Sequence, residues 1–120
     1  IYFATKRDNR VWSYDTGSKE IEIIYDARTS DNPILTGVDN VDITAGGDVL
    51  VAEDGGDMQL VAITPEGELL PLFKIIGHDR SEVCGQAFDP SYQRLYFSSQ
   101  RGITGSRLTG GITYEVMYTG

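Results

Sequence analysis

Acidic and amide side chains stand at the ends of several short β-rich runs in this chain. Asp39 and Asn40 lie at the start of one run, Glu53 ends the next, and Glu82 directly precedes a later one. Carboxylate and amide oxygens are the ligands that hard cations such as calcium take, in sets of about six to eight. Asp39, Asn40, Glu53 and Glu82 are therefore the candidate metal ligands.

Each of these candidates also has an ordinary structural interpretation. Asp39 and Asn40 could cap a turn by accepting nearby backbone N–H groups. Glu53 opens an acidic stretch, residues 53–57, whose spacing is not that of an EF-hand and which fits a solvated glycine turn equally well. Within it, Asp57 is interpreted as a surface residue. Glu82 has the least structural reason for its place, because only Ser81 separates it from the preceding loop.

The other reactive side chains are few. Cys84 and His78 are the single cysteine and the single histidine of the 120 residues, which excludes a disulfide scaffold and a His-rich zinc site within this chain. His78 falls in a predicted loop, and no Ser-His-Asp triad is expected from this chain. Cys84 is interpreted as a small core residue. Arg101 is the candidate for binding an anionic substrate, although a lone arginine at a strand end is also a common surface residue.

A repeat indicates how these residues are positioned. Segments 1–6, 49–54 and 95–100 resemble one another at spacings of 46 to 48 residues, and each is followed by a second β-rich run. Alternating β-branched and aromatic residues bounded by Gly, Pro, Asp and Asn predict strands. The predicted strands are 1–6, 10–14, 20–25, 38–44, 49–54, 59–63, 68–73, 83–89, 95–100 and 111–116.

Four short strands per repeat of this length are typical of a β-propeller blade. The sequence therefore predicts an all-β fold, a β-propeller fragment of about two and a half four-stranded antiparallel blades, with units at about 1–36, 37–81 and 82–120. Closed propellers hold about four to eight blades. We therefore expect the chain, which opens on Ile1, to be part of a longer protein whose remaining blades, or other copies of itself, complete the ring. An open solenoid or a sandwich is the alternative.

Composition excludes two classes of partner. The formal net charge of −8 repels a phosphate backbone, so no nucleic-acid partner is expected. No stretch approaches the roughly 18 consecutive apolar residues of a membrane helix, so no membrane partner is expected either.

Ordered motifs along nearly the whole chain resemble one family. They are VDNV at 38–41, GDVLVAEDGG at 47–56, ITPEG at 63–67, SEVCGQAFDP at 81–90, RLYFSSQRG at 94–102 and GGITYEV at 110–116. This series is similar to the C-terminal part of the PhoX-type alkaline phosphatases, a bacterial family formerly classed as a domain of unknown function.

The resemblance implies an exported, metal-dependent phosphatase with a propeller of about six blades that hydrolyses phosphate monoesters with calcium and iron. It implies that Glu82 matches an acid of the family's metal centre and that Asp39, Asn40 and Glu53 match positions at its rim. The family's iron-binding cysteine lies upstream and is not Cys84. It also implies that the excised chain is inactive alone. Two other functions stay open: a propeller that only binds, and a calcium-dependent lactonase-like hydrolase.

Overall fold

The chain folds into short strands joined by turns. A computed structural model describes residues 1–54 and 57–120 and contains no helix in these residues. The strands are β1 (Tyr2–Thr5), β2 (Arg10–Tyr14), β3 (Ile21–Asp26), β4 (Val38–Ile43), β5 (Val49–Glu53), β6 (Gln59–Ile63), β7 (Leu69–Lys74), β8 (Val83–Phe88), β9 (Arg94–Ser99) and β10 (Ile112–Met117).

The ten strands form three antiparallel sheets in chain order. The first sheet is β1-β2-β3, the second is β4-β5-β6-β7 and the third is β8-β9-β10. Within each sheet, strands that follow one another in the chain pair antiparallel. The fold is therefore all-β, as the sequence predicts.

The second sheet lies between the other two, and its central strands show why. Successive side chains of a strand point to opposite faces. In β5, Val49 and Val51 pack toward the first sheet, whereas Leu50 and Ala52 pack toward the third. Every residue of β5 is buried as a result.

Two apolar clusters join the sheets face to face. Fully burying a Val or Leu side chain stabilises a fold by about 1.5–3 kcal/mol, so these clusters hold the sheets together. The first cluster contains Val11, Tyr25, Leu35, Val38, Val49, Val51, Val61 and Ile63. The second contains Leu50, Ala52, Met58, Leu60, Ala62, Val83, Leu95 and Phe97.

Hydrogen bonds fix the approach to β4, from which candidate ligands extend. The Asn9 amide donates to the Leu35 carbonyl at 2.9 Å, and its side-chain oxygen accepts the Val38 N–H at 2.8 Å. The Asp54 N–H donates to the Gly37 carbonyl at 2.8 Å. A Cβ on Gly37 would lie 2.8 Å from the Asp54 carbonyl oxygen, so glycine is required for this approach. The β1–β2 turn, the start of β4 and the end of β5 are thereby held together.

All ten predicted strands form, with ends displaced by no more than one residue. Each sheet lies within one predicted unit, and closure of such sheets into a propeller ring stays a prediction. The predicted glycine turn at Gly55 and Gly56 lies outside the described residues. Within the described residues, no helix is long and apolar enough to cross a membrane.

Candidate functional site

One edge of the molecule collects side chains from all three sheets. Lys6 follows β1, Asp39 is the second residue of β4, Asp54 follows β5 and Glu82 precedes β8. Asp54 and Glu82 form an isolated antiparallel bridge that joins the second sheet to the third. Because antiparallel strands return to the same edge on every second pass, residues far apart in sequence meet here.

Three carboxylates form the centre of this edge. One carboxylate oxygen each from Asp39, Asp54 and Glu82 lies within 4.8 Å of the others. Oxygens that share a calcium ion at about 2.3–2.6 Å lie at most about 5 Å apart, so the spacing fits one hard cation. The donor set is all oxygen, which also suits calcium better than a thiolate- or imidazole-seeking metal. We call Asp39, Asp54 and Glu82 the carboxylate cluster.

Lys6 supplies positive charge to the carboxylate cluster. Its Nζ donates to Asp54 Oδ2 at 2.6 Å and to Asp39 Oδ2 at 3.0 Å. These two hydrogen bonds raise the pKa of Lys6 well above its ordinary value. The lysine therefore carries its charge at every physiological pH.

Burial and mutual proximity shift the pKa values of Glu82 and Asp54, the two bridged carboxyl groups, in opposite directions. A hydrogen bond with Asp54 raises the pKa of Glu82, and burial raises it further, since the residue is 8% exposed. The same hydrogen bond, together with the one from Lys6, lowers the pKa of Asp54. The positive charge of Arg101 lowers both pKa values. Glu82 is therefore the weaker acid of the two and Asp54 the stronger.

A family model described as alkaline phosphatase PhoX matches residues 9–102. The chain belongs to the PhoX alkaline phosphatase family. The match spans the whole carboxylate cluster and Arg101, whereas Lys6 lies before it. No curated protein and no solved structure matches the chain.

Asp39 and Glu82, two of the predicted ligands, lie together in this PhoX-family cluster. Asn40 lies beside them in β4, and its backbone carbonyl accepts a hydrogen bond from the Gln86 amide at 2.9 Å. That bond ties β4 to β8 across the two sheets. The ligand roles of all three residues stay predictions.

Glu53, the fourth predicted ligand, lies apart from the cluster. It is 0% exposed, and one of its oxygens accepts the backbone N–H groups of Thr36 and Gly37. The other oxygen accepts the Gln59 amide at 2.8 Å. These donors fix the residues that lead into β4, so Glu53 supports the placement of Asp39.

Arg101 reaches the same edge from the end of β9. Its backbone N–H donates to Ser81 Oγ at 2.8 Å, and its charge acts on Asp54 and Glu82 as described above. Its Nε is buried and has no hydrogen-bond partner among residues 1–54 and 57–120. A guanidinium binds anions through its N–H donors, and that role of Arg101 stays a prediction.

A chain of buried hydroxyls supports Glu82 and Arg101. His78 Nδ1 lies 2.7 Å from Ser99 Oγ, which lies 2.8 Å from Ser81 Oγ. Ser81 directly precedes Glu82 and accepts the Arg101 N–H. The single histidine of the PhoX-family chain is thus a structural residue of the site.

Cys84 lies near the carboxylate cluster but is not a member of it. Burial raises the pKa of its thiol, and the charges of Glu82 and Asp39 raise it further. The nucleophilic form of a cysteine is the thiolate. A raised pKa lowers the thiolate fraction of Cys84, which is half-buried and belongs to neither apolar cluster, so its interpretation as a core residue stays a prediction.

The sequence reasoning missed Asp54 and Lys6. Both end the first run of a repeat, since segment 1–6 aligns with segment 49–54. Equivalent repeat positions fall at equivalent sheet edges. That alignment was the signal that could have identified both.

Proposed function

We propose that this chain is part of a metal-dependent phosphatase that hydrolyses phosphate monoesters. The observation that carries the proposal is the carboxylate cluster, formed by two sheets within the residues that match the PhoX family. A buried glutamate held against two aspartates is costly for folding alone, because like charges at this spacing repel. Such an arrangement is typical of a cation site.

The residues of the cluster would hold the cation. Asp39, Asp54 and Glu82 would each offer a carboxylate oxygen, with calcium as the proposed ion and iron as a second metal cofactor. A bound cation would neutralise charge on the phosphate and polarise its P–O bonds. Asn40 and Glu53 would support the ligands, Asn40 through the link to Gln86 and Glu53 through the loop before β4.

Arg101 would bind and orient the phosphate group. Its charge acts on Asp54 and Glu82, and the Ser81 hydroxyl fixes its backbone. A planar guanidinium matches the oxygens of a phosphate monoester in a bidentate fashion. In this account Arg101 orients the ester while the carboxylate cluster places the cation.

We expect phosphatase activity from a closed propeller ring. The three packed sheets support the proposal of a propeller, and closed propellers hold about four to eight blades. The remaining blades of a parent chain, or copies of this one, would complete the ring and the ligand set. Export to the periplasm or the cell exterior is part of the same proposal, since it is what the PhoX resemblance implies.

Metal content and phosphatase rate test the proposal together. We would measure metals by mass spectrometry and hydrolysis of p-nitrophenyl phosphate, with and without chelator, on the closed ring that contains this chain. Glu82→Gln should lower both metal content and rate by about tenfold or more. The matched control is Glu115→Gln in the same sheet, an exposed glutamate paired with Arg94, which should change neither.

The outcomes separate the proposal from its rivals. Metal-free, inactive protein would contradict it. Bound metal without turnover would indicate a propeller that only binds, and chelator-sensitive hydrolysis of lactones in place of phosphate esters would indicate a lactonase-like enzyme.

A further inference from the structure

Lys6 makes two ion pairs with the carboxylate cluster, although neither its place in the sequence nor its exposed position requires them. The side chain is 55% exposed, yet its ammonium group makes two ion pairs with carboxylates 33 and 48 residues away. Both partners belong to the carboxylate cluster. Lys6 is thus the contribution of the first sheet to an edge that the second and third sheets otherwise form.

The Lys6 ammonium group lies where a divalent metal ion would lie among the carboxylates. It lies 2.6 Å from Asp54 Oδ2 and 3.0 Å from Asp39 Oδ2. A divalent ion bound to the same carboxylates would lie about 2.3–2.6 Å from their oxygens. Two cations held that close to shared oxygens repel each other strongly. The ammonium group and the ion therefore exclude each other.

The Lys6 side chain is able to move away from the carboxylate cluster. Its charge is carried on a flexible four-carbon stem, and more than half of its side chain faces solvent. Its departure exposes the carboxylate oxygens of Asp39 and Asp54 to an incoming ion.

We propose that Lys6 is a tethered cation that holds the carboxylate cluster together in the metal-free chain and is displaced when a divalent ion binds. The lysine then sets the metal concentration at which the site fills. This inference rests on the proposed metal site and adds to it a residue outside the stretch matched by the family.

The chain offers a matched control for this lysine. Lys74 pairs with Asp57 at 2.8 Å, and its side chain is 52% exposed. It makes one ion pair with one aspartate outside the carboxylate cluster. Removing either lysine deletes a similar surface charge, but only Lys6 competes for the cluster.

Calorimetric titration of calcium into the metal-free closed ring that contains this chain tests the inference. Lys6→Met should bind calcium about tenfold more tightly than wild type, since two exposed ion pairs are together worth about one decade of affinity. Lys74→Met should stay within about twofold of wild type. Lys6→Arg, which keeps the charge, should restore weak binding.

A second readout uses the unsubstituted protein, so it stands even if a variant fails to fold. The 13Cε signal of Lys6 should shift as calcium is added, while that of Lys74 should not. An unmoved Lys6 signal at saturating calcium would overturn the inference.

The remaining outcomes separate this inference from the proposed function. If wild type and Lys6→Met bind calcium equally, or if Lys6→Met binds more weakly, the metal site stands and the tethered cation is overturned. If none of the variants binds calcium, the calcium dependence in the proposed function fails, and the displacement of Lys6 fails with it.

Discussion

Glu53 and Asp54 are adjacent acidic residues with opposite environments. The Glu53 carboxylate is fully buried and accepts hydrogen bonds from two backbone N–H groups and the Gln59 amide. Asp54 faces Lys6 and two other carboxylates instead. Donors that belong to the protein satisfy the first carboxylate, so it has little capacity left for a metal. The second lies among like charges and needs a cation.

In the third sheet, the neutral residue Ser99 has the same role that Glu53 has in the second sheet. Glu53 pairs with Val38 across the second sheet, and Ser99 pairs with Val83 across the third. Each bonds the segment that leads into its partner strand, which precedes it in the chain: Glu53 bonds Gly37, and Ser99 bonds Ser81. The last residue of the strand thus fixes the segment that carries Asp39 in the second sheet and Glu82 in the third.

Glu53→Gln should produce the largest effect, a loss of folding stability. The new amide would present N–H groups to donors that need an acceptor, which should cost about 3 kcal/mol. Urea denaturation measures this loss. Calcium affinity of the folded protein should change little, and a large loss of affinity at unchanged stability would instead identify Glu53 as a ligand.

Asp54→Asn should show the reverse pattern. Loss of the exposed Lys6 pair is offset by relief of repulsion among the carboxylates, so stability should change by less than about 1 kcal/mol. Calcium affinity should fall by about tenfold or more, because a charged ligand is removed. Calorimetric titration checks this, with Asp57→Asn as the control that should bind as wild type does. Equal affinities in the two variants would remove Asp54 from the site.

Ser99→Ala should destabilise the third sheet less than Glu53→Gln destabilises the second. It removes neutral hydrogen bonds to His78 and Ser81, which are worth about 1 kcal/mol each. Urea denaturation of both variants under one set of conditions gives the ranking. A loss as large as that of Glu53→Gln would show that charge is not what distinguishes the two positions.

Calcium binding should weaken as the pH falls, by up to about tenfold per pH unit. The pKa of Glu82 lies above its ordinary value, because of its hydrogen bond with Asp54 and its burial. The metal-free protein therefore holds a proton on Glu82 below that pKa, and an ion must displace it. Calorimetry at the same pH in buffers of different ionisation enthalpy should show proton release in wild type and none in Glu82→Gln. Equal release in both would place the proton elsewhere.

More of the fold than of the site could be predicted from the sequence. Period-two alternation and turn residues located every strand, because both signals are local. Asp39 and Glu82 could be named because each begins or precedes a strand. The choice between Glu53 and Asp54 depends on which way a strand end faces, and alternation alone does not give that direction. Lys6 finds its partners only when two sheets pack, so no local pattern could reveal them.

The most direct test is a crystal structure of the closed ring that contains this chain, grown with calcium, with the ion identified by anomalous scattering. We expect an ion about 2.3–2.6 Å from carboxylate oxygens of Asp39, Asp54 and Glu82, with the Lys6 ammonium moved away and Glu53 still bound to its own donors. A cluster without an ion at saturating calcium, with Lys6 still bridging Asp39 and Asp54, would contradict this expectation.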